Sequence, residues 1–367
     1  MNKKTICLNM IVKNEAHAVE KCLASVKKVI DYWVIVDTGS SDGTQKIIKH
    51  FLRDIPGKLY ERPWVDFAFN RNQALTLAKR KGDYLLFIDA DERLEFINSS
   101  DFPPLNKDFY MSLYHHSAFI SRRILLVNSR LDWRWNGVIH EVVECADAKN
   151  VGLLNQVINR ATREGDRSKD LQKKFLHDIE LLEGVAQKEP QNSRNRFHLA
   201  KHYEAAKEYS LALKNYEIRA SAGDSGAEVF YCLYRKGVIE KELEMSSEIF
   251  INSFVRAFLN RPCRAEPLYS LLEYFMEIEA YLVGYLISRF VMTDKLVNEY
   301  YLSLHKVYDY ALLSQFIECS FHVGKYQETY DGLTRLLAVS TLPSDIRTAS
   351  EKNFAFLKKT IFNQKAS

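Results

Sequence analysis

The chain reads as two folds in series, an α/β domain with a parallel sheet over residues 1–165 and an all-helical domain over residues 166–367. Three observations predict this. Over the first hundred residues apolar strand-like runs alternate with helical patterns, as in a parallel sheet covered by helices. After about residue 165, Leu, Ala, Glu, Lys and Tyr recur at helical spacing with almost no strand signal. A chain of 367 residues is also long enough for two domains at about 150 residues each.

The elements follow in order. Thr5 to Val12 is an apolar strand, Ala16 to Val29 a helix, and Tyr32 to Val36 a second strand. A second helix starts near Thr44, where Ser41 or Asp42 can accept the amides of its first turn. A weaker third strand lies around Lys58 to Glu61. Residues Ala68 to Lys79 form the next helix, and Gly82 breaks the pattern before the apolar strand Tyr84-Leu85-Leu86-Phe87-Ile88, which ends at Asp89. From Tyr110 to Cys145 the pattern is strand-like again. In the helical half, Leu199, Ala200, Tyr203, Ala212 and Tyr216 match a 34-residue helix-turn-helix repeat, and Phe254, Ala257 and Pro262 match the later positions of the next unit. Two further helix pairs, about 265–300 and 305–340, fit loosely, the latter with Gly324-Lys325-Tyr326 at its turn. The expectation is a degenerate tetratricopeptide-like array, with an unspecific helical bundle as the alternative.

Composition excludes several classes. At 47% hydrophobic and 27% charged, the chain has the makeup of a folded globular protein, not a disordered one. The net charge of +4 comes from basic residues spread over the whole length, without the stripe that nucleic acid requires. Six widely spaced cysteines with no C-x-x-C pair read as reduced thiols in a cytoplasmic protein. The first residues do not resemble a signal peptide. The apolar run Tyr281 to Met292 is interrupted by Arg289 and falls short of the roughly 20 residues that span a bilayer, which leaves peripheral membrane contact open.

Polar residues cluster where strands end, the usual ligand side of an α/β sheet. The first strand is followed by Lys13-Asn14-Glu15, the second by Asp37-Thr38-Gly39-Ser40-Ser41-Asp42-Gly43-Thr44, and the later one by Asp89-Ala90-Asp91-Glu92. Together these place Glu15, Asp37, Asp89 and Asp91 around one acidic cleft. Carboxylates beside an apolar run are costly unless a cation or hydrogen-bond donors offset their desolvation, and two of them suit a hard divalent ion that keeps positions for phosphate oxygens. A diphosphate in such a cleft also needs positive charge. Arg71, at the start of a helix whose amides favour anions, is the candidate; an ordinary surface arginine is the alternative.

The segments Met10-Ile11-Val12-Lys13-Asn14-Glu15, Val36-Asp37-Thr38-Gly39-Ser40-Ser41-Asp42-Gly43-Thr44, Arg71-Asn72 and Ile88-Asp89-Ala90-Asp91-Glu92 resemble those of family 2 glycosyltransferases of the GT-A fold. Trp135-Asn136-Gly137-Val138-Ile139-His140-Glu141 is similar to the G-x-(V/I)-H-E segment of a subgroup that includes bacteriocin S-glycosyltransferases and some lipopolysaccharide-core glucosyltransferases. The S-glycosyltransferases likewise follow their catalytic domain with helical repeats. The resemblance implies that Glu15 and Asp37 contact the base or ribose, that Asp89 meets the ribose or donor sugar, and that Asp42 and Arg71 complete the donor-binding set. It also implies Asp91 as a ligand of Mn²⁺ or Mg²⁺ and His140 as a second ligand or a diphosphate contact, with a hydrogen-bonded strand histidine as the alternative. An inverting displacement needs a carboxylate to take the acceptor proton: Glu141 is the first candidate, with Asp132 and Glu144 as rivals, and Glu92 on the donor side. Strand alternation weakens Glu141, because its side chain and that of His140 would point to opposite faces. The chain departs from related ones where a further His is common, reading Val157-Ile158-Asn159-Arg160-Ala161-Thr162, so Asn159 or Arg160 would serve the phosphates instead.

On the acceptor side, Trp64, Trp133 and Trp135 could stack on sugar faces or simply fill the core. The helical array could hold a glycan, peptide or protein acceptor, or mediate a homodimer. The expected activity is transfer of a sugar from a nucleoside diphosphate sugar, a UDP-hexose first, to a glycan or a peptide or protein. The alternative is a catalytically inactive fold whose repeats act as a protein-binding scaffold. A nucleotidyltransferase would want a Gly-rich loop after strand one, where this chain has Lys13-Asn14-Glu15.

Overall fold

The computed structural model describes residues 3–116, 119–162, 171–223, 226–293 and 306–364. These divide into two compact units, Met1–Ala206 and Lys207–Ser367. The expected boundary at 165/166 follows the change of secondary structure, whereas the compact first unit also takes in the first two helices of the helical half.

The first unit is built on strands β1 (Ile6–Val12), β2 (Tyr32–Asp37), β3 (Gly57–Glu61) and β4 (Tyr84–Phe87), interleaved with helices α1 (Val19–Val26), α2 (Thr44–Phe51) and α3 (Phe67–Ala78). β1 and β2 are buried along almost their whole length and β4 throughout, as apolar runs in a sheet covered on both faces should be. α1 buries Val19, Cys22, Leu23 and Val26, the stripe that a 3.6-residue period puts on one face. It starts three residues later than expected. α3 starts where Asp66 accepts the Phe69 amide at 2.7 Å.

The sheet continues as β5 (Glu92–Phe96), β6 (Phe109–His116), β7 (Phe119–Asn128) and β10 (Val151–Ala161), while β8 (Arg134–Asn136) and β9 (Val142–Glu144) form a separate hairpin. Its order is β3-β2-β1-β4-β7-β6-β10-β5. β3, β2, β1 and β4 run parallel, as expected. β7 is antiparallel to β4 and β6, and β10 is parallel to β6 but antiparallel to β5, so the whole sheet is mixed, not parallel. Helices α4 (Leu171–Lys188) and α5 (Ser193–Ala205) pack on one another and close this unit.

The second unit is all helical: α6 (Tyr209–Ala222), α7 (Gly226–Glu242), α8 (Ser247–Asn260), α9 (Glu266–Glu277), α10 (Tyr281–Thr293), a π-helical turn at Val307–Ala311, α11 (Leu312–His322), α12 (Tyr326–Leu337) and α13 (Ser344–Gln364). Successive helices pack against each other, as in tetratricopeptide-like repeats. The expected repeat positions Ala212, Tyr216, Phe254 and Ala257 are all fully buried. Close crossings use glycine: a Cβ on Gly237 would come within 2.7 Å of the Phe254 ring. Two buried ion pairs sit here: Arg219 with Glu228 at 2.8 Å joins α6 to α7, and Arg264 with Glu266 at 2.6 Å links the loop after α8 to the first turn of α9. Part of the loosely fitting 265–300 and 305–340 pairs lies outside the described residues. All six cysteines are free thiols, and among the described residues no helix is long and apolar enough to cross a membrane.

Candidate functional site

The carboxyl ends of β1, β2 and β4 are adjacent because these strands are neighbours in the sheet. The loops after β1 and β2 brace each other. The Asn14 amide donates to Ser40 Oγ, the Ser41 amide to Asn14 Oδ1, and the Glu15 amide to Thr44 Oγ1, at 2.8–2.9 Å. Asn14 sits in the left-handed region at φ 54°, which a short polar side chain tolerates. Asp42 belongs to this bracing: Oδ1 accepts the Thr44 amide and hydroxyl, and Oδ2 accepts the Ala16 amide. Burial opposes ionisation of Asp42, but these bonds outweigh it and hold the carboxyl below its ordinary range. The residue opening α2 is Gly43, at φ 96°.

Asp37 ends β2 and is 1% exposed. Its Oδ1 accepts the Gly39 and Ser40 amides and Gln45 Nε2, at 3.0, 2.9 and 3.1 Å. Its Oδ2 is buried and meets no hydrogen-bond donor among the described residues. A buried carboxylate oxygen without a donor calls for one from elsewhere.

Arg71, in the second turn of α3, is the hub. Its Nη2 donates to Asp89 Oδ1 and its Nε to Glu141 Oε1, both at 2.6 Å, and its guanidinium lies 4.9 Å from the Trp135 ring centre. The next residue, Asn72, holds the Trp135 backbone with both arms, accepting its amide at 2.9 Å and donating to its carbonyl at 2.8 Å. The Arg71-Asn72 pair therefore clamps the β8–β9 hairpin to α3. The Arg71 side chain is 10% exposed, Glu141 12% and Asp89 39%. Burial alone would weaken the guanidinium's hold on its proton, yet the two carboxylates reverse this and raise its pKa. The same charge outweighs burial at Asp89 and holds that carboxyl low.

Beyond Asp89 the chain turns into β5. Thr162 donates its amide and hydroxyl to the Asp91 carbonyl, at 3.0 and 2.7 Å. Glu92 is buried, accepting from the Asp89 amide and from Asn159 Nδ2, with Arg123 at 3.4 Å. Burial and the Asp89 charge push its pKa up to about 7. Asn159 is thus engaged with Glu92, and Arg160 with Glu95 at 2.7 and 2.8 Å, which sets both against acidic side chains.

Strand alternation does not apply to His140 and Glu141, because they occupy the five-residue loop between β8 and β9. Gly137 (φ 103°) and His140 (φ 55°) are both left-handed, and Ile139 is buried between them. Glu141 reaches Arg71, while His140 Nε2 lies 2.9 Å from Nε2 of His202 on α5. His198, one turn earlier on α5, stacks on the His140 ring at 4.4 Å and 13°. Burial first, then His140 and the nearby cations of Arg194 and Lys201, hold the His198 pKa well below the ordinary imidazole range. This histidine group was not read from the sequence; its one signal was the i, i+4 spacing of His198 and His202.

The structure does not bring Asp132 to Arg71. Its side chain is 81% exposed and pairs with Lys79 at 2.5 Å, at the far end of α3. Glu144 accepts from Asn136 on the exposed hairpin. Trp133 is core, with Nε1 bonded to the Asn128 carbonyl at 2.9 Å and its ring against Phe109. Trp64 is 40% exposed. Among the described residues no three His, Cys, Asp or Glu side chains are already gathered to hold a metal ion.

The profile of the family described as glycosyl transferase family 2 matches residues 7–96, which contain β1 to β5 and the loops just described. Residues 7–96 are a family 2 glycosyltransferase domain. The chain is 42% identical over 90 residues to a TPR repeat-containing protein of Synechococcus elongatus, a match covering 24% of this chain and 21% of that one. It is 26% identical over 205 residues to the SPbeta prophage-derived glycosyltransferase SunS of Bacillus subtilis, covering 52% and 47%. These matches span about half or less of the relatives' length. Among solved structures, TarS 1–349 of S. aureus in complex with UDP-GlcNAc aligns with 70% of this chain and 92% of that one, at 12% identity and a TM-score of 0.39. Helical repeats follow the glycosyltransferase domain, as anticipated.

Proposed function

We propose that the chain transfers a sugar from a nucleoside diphosphate sugar, a UDP-hexose first, to a glycan or a peptide or protein acceptor. The observation that carries this reading is the Asp89–Arg71–Glu141 bridge, set at the end of β4 beside the Asp37 and Glu15 loops. Asp37 Oδ2 is suited to an N–H or O–H of the nucleoside. Asp89 and Arg71 form the edge on which the donor sugar and diphosphate would lie.

A divalent ion fits the donor set. Asp91 with Asp89 supplies hard carboxylate oxygens, and Mg²⁺ or Mn²⁺ commonly takes one or two carboxylates and completes its shell with phosphate oxygens and water. A three-ligand protein cage is then unnecessary. Such an ion would stabilise the charge on the departing diphosphate. His140, whose Nε2 faces His202, is a weaker candidate for that shell than Asp91.

The reaction is a single displacement. The acceptor oxygen or sulfur bonds to the anomeric carbon as the bond to the diphosphate oxygen breaks, inverting that carbon, and the acceptor proton passes to a carboxylate. Glu141 is favoured for this role: Arg71 engages Oε1, and Oε2 makes no hydrogen bond to the described residues. Asp132 is disfavoured by its pairing with Lys79 away from Asp89. The test is turnover of UDP-glucose and UDP-N-acetylglucosamine with Mn²⁺, followed as UDP release. Loss of a general base costs about 10²–10⁴-fold, so Glu141→Gln should lower turnover by at least about a hundredfold while UDP still binds, and Asp132→Asn should be silent. Loss of turnover in Asp132→Asn with Glu141→Gln unaffected would reverse the assignment.

A further inference from the structure

We infer that His202 and His198 of α5 are positioning residues, holding through His140 the turn that aims Glu141 at Arg71. The geometry has three parts. His140 sits at φ 55°, a left-handed backbone state unfavourable for a residue that carries a Cβ, which persists only where the surroundings enforce it. Its Nε2 lies 2.9 Å from His202 Nε2, a distance at which one imidazole donates and the other accepts, fixing the orientation of both rings. The flat face of His140 rests on His198 at 4.4 Å.

His198 and His202 can act together because residues four apart share a helix face. Both are buried, and the Phe197 ring backs His198 edge-on at 5.1 Å. The α4–α5 pair lies in the same compact unit as the sheet, so this bracing joins α5 to the glycosyltransferase domain. Glu141 follows His140 directly, so a slack His140 would free Glu141 to leave the guanidinium. The consequence for turnover rests on the proposed role of Glu141; the bracing itself does not.

The test uses the full chain and its His202→Leu, His202→Gln and His198→Ala variants. Amide hydrogen exchange of the peptide spanning residues 136–144 should accelerate by about tenfold or more in His202→Leu, because local protection depends on the contacts that close the segment. With UDP-glucose and Mn²⁺ as probe, kcat should fall by about tenfold to a hundredfold, the usual effect of misplacing a group by about an ångström, with KM nearly unchanged. His202→Gln can still donate to or accept from His140 and should restore both readouts. His198→Ala, which removes only the stacked face, should fall between. Unchanged exchange at 136–144 in His202→Leu overturns the inference, as does His202→Gln being as damaged as His202→Leu. If His202→Leu does not fold, unchanged exchange in His198→Ala is the overturning result. A wild-type chain that turns over no donor would sink the transferase reading, and exchange alone would then decide the bracing.

Discussion

Arg71 joins three elements at the proposed donor site. Its guanidinium satisfies two carboxylates from different elements and lies on Trp135, so removing it leaves the largely buried Glu141 without its ion-pair partner and the half-buried Asp89 with only the charge of Arg123. Breaking a buried pair costs about 3–5 kcal/mol; the 39% exposure of Asp89 argues for the lower end, and thermal unfolding of Arg71→Met should show a loss of about 3 kcal/mol. Arg71→Lys should recover little, because a single ammonium cannot reach both carboxylates in the planar fork geometry. Asp42 behaves differently. Its oxygens accept from Thr44 and Ala16, so Asp42→Ala should cost about 1 kcal/mol in lost hydrogen bonds at an exposed position. Because the folded carboxyl titrates below its ordinary value, its contribution is present above that ordinary value and lost as pH falls through the folded one. Wild-type stability should therefore drop more steeply from about pH 5 to about pH 3 than that of Asp42→Ala.

At the scale of elements, the runs most legible in the sequence were those buried on both faces. β1, β2 and β4 are nearly continuous apolar stretches, and their polar ends put Asp37 at the last residue of β2 and Asp89 just beyond β4, which stops at Phe87, two residues short of the expected end. β5 and β10 escaped, because each is polar at several positions: β10 carries Asn155, Gln156, Asn159 and Arg160 among its apolar residues. The run over Tyr110 to Cys145 read as strand, but its apolar pattern does not encode direction, so the antiparallel pairing of β7 with β4 and β6 was not legible, nor was that of β5 with β10. The β8–β9 loop was likewise misjudged as strand, and the alternation argument against Glu141 fell with it. In the helical unit the fit between helices can be tested at Gly237. Alanine there gains about 1 kcal/mol of helix propensity but must displace the fully buried Phe254 ring, and overpacking costs about 1–3 kcal/mol. Gly237→Ala should therefore lower the unfolding free energy by about 1 kcal/mol net, measured by denaturant titration.

Across the whole molecule, the division into a mixed α/β unit and a helical one was readable because the periodicity of apolar residues changes once along the chain. The acidic strand ends could be read individually. What joins them could not, because Arg71 meets Glu141 across 70 positions and His140 meets His202 across 62, and nothing local in a sequence encodes such pairings. The same limit applied to Asn159 and Arg160, whose acidic partners sit on a neighbouring strand. The most direct test of the donor site is calorimetric titration of UDP, with and without Mn²⁺, into the full chain and its Asp91→Ala variant. The account predicts binding that requires the metal and disappears in the variant; absence of nucleotide binding with or without metal, or metal-dependent binding that Asp91→Ala leaves intact, would contradict it.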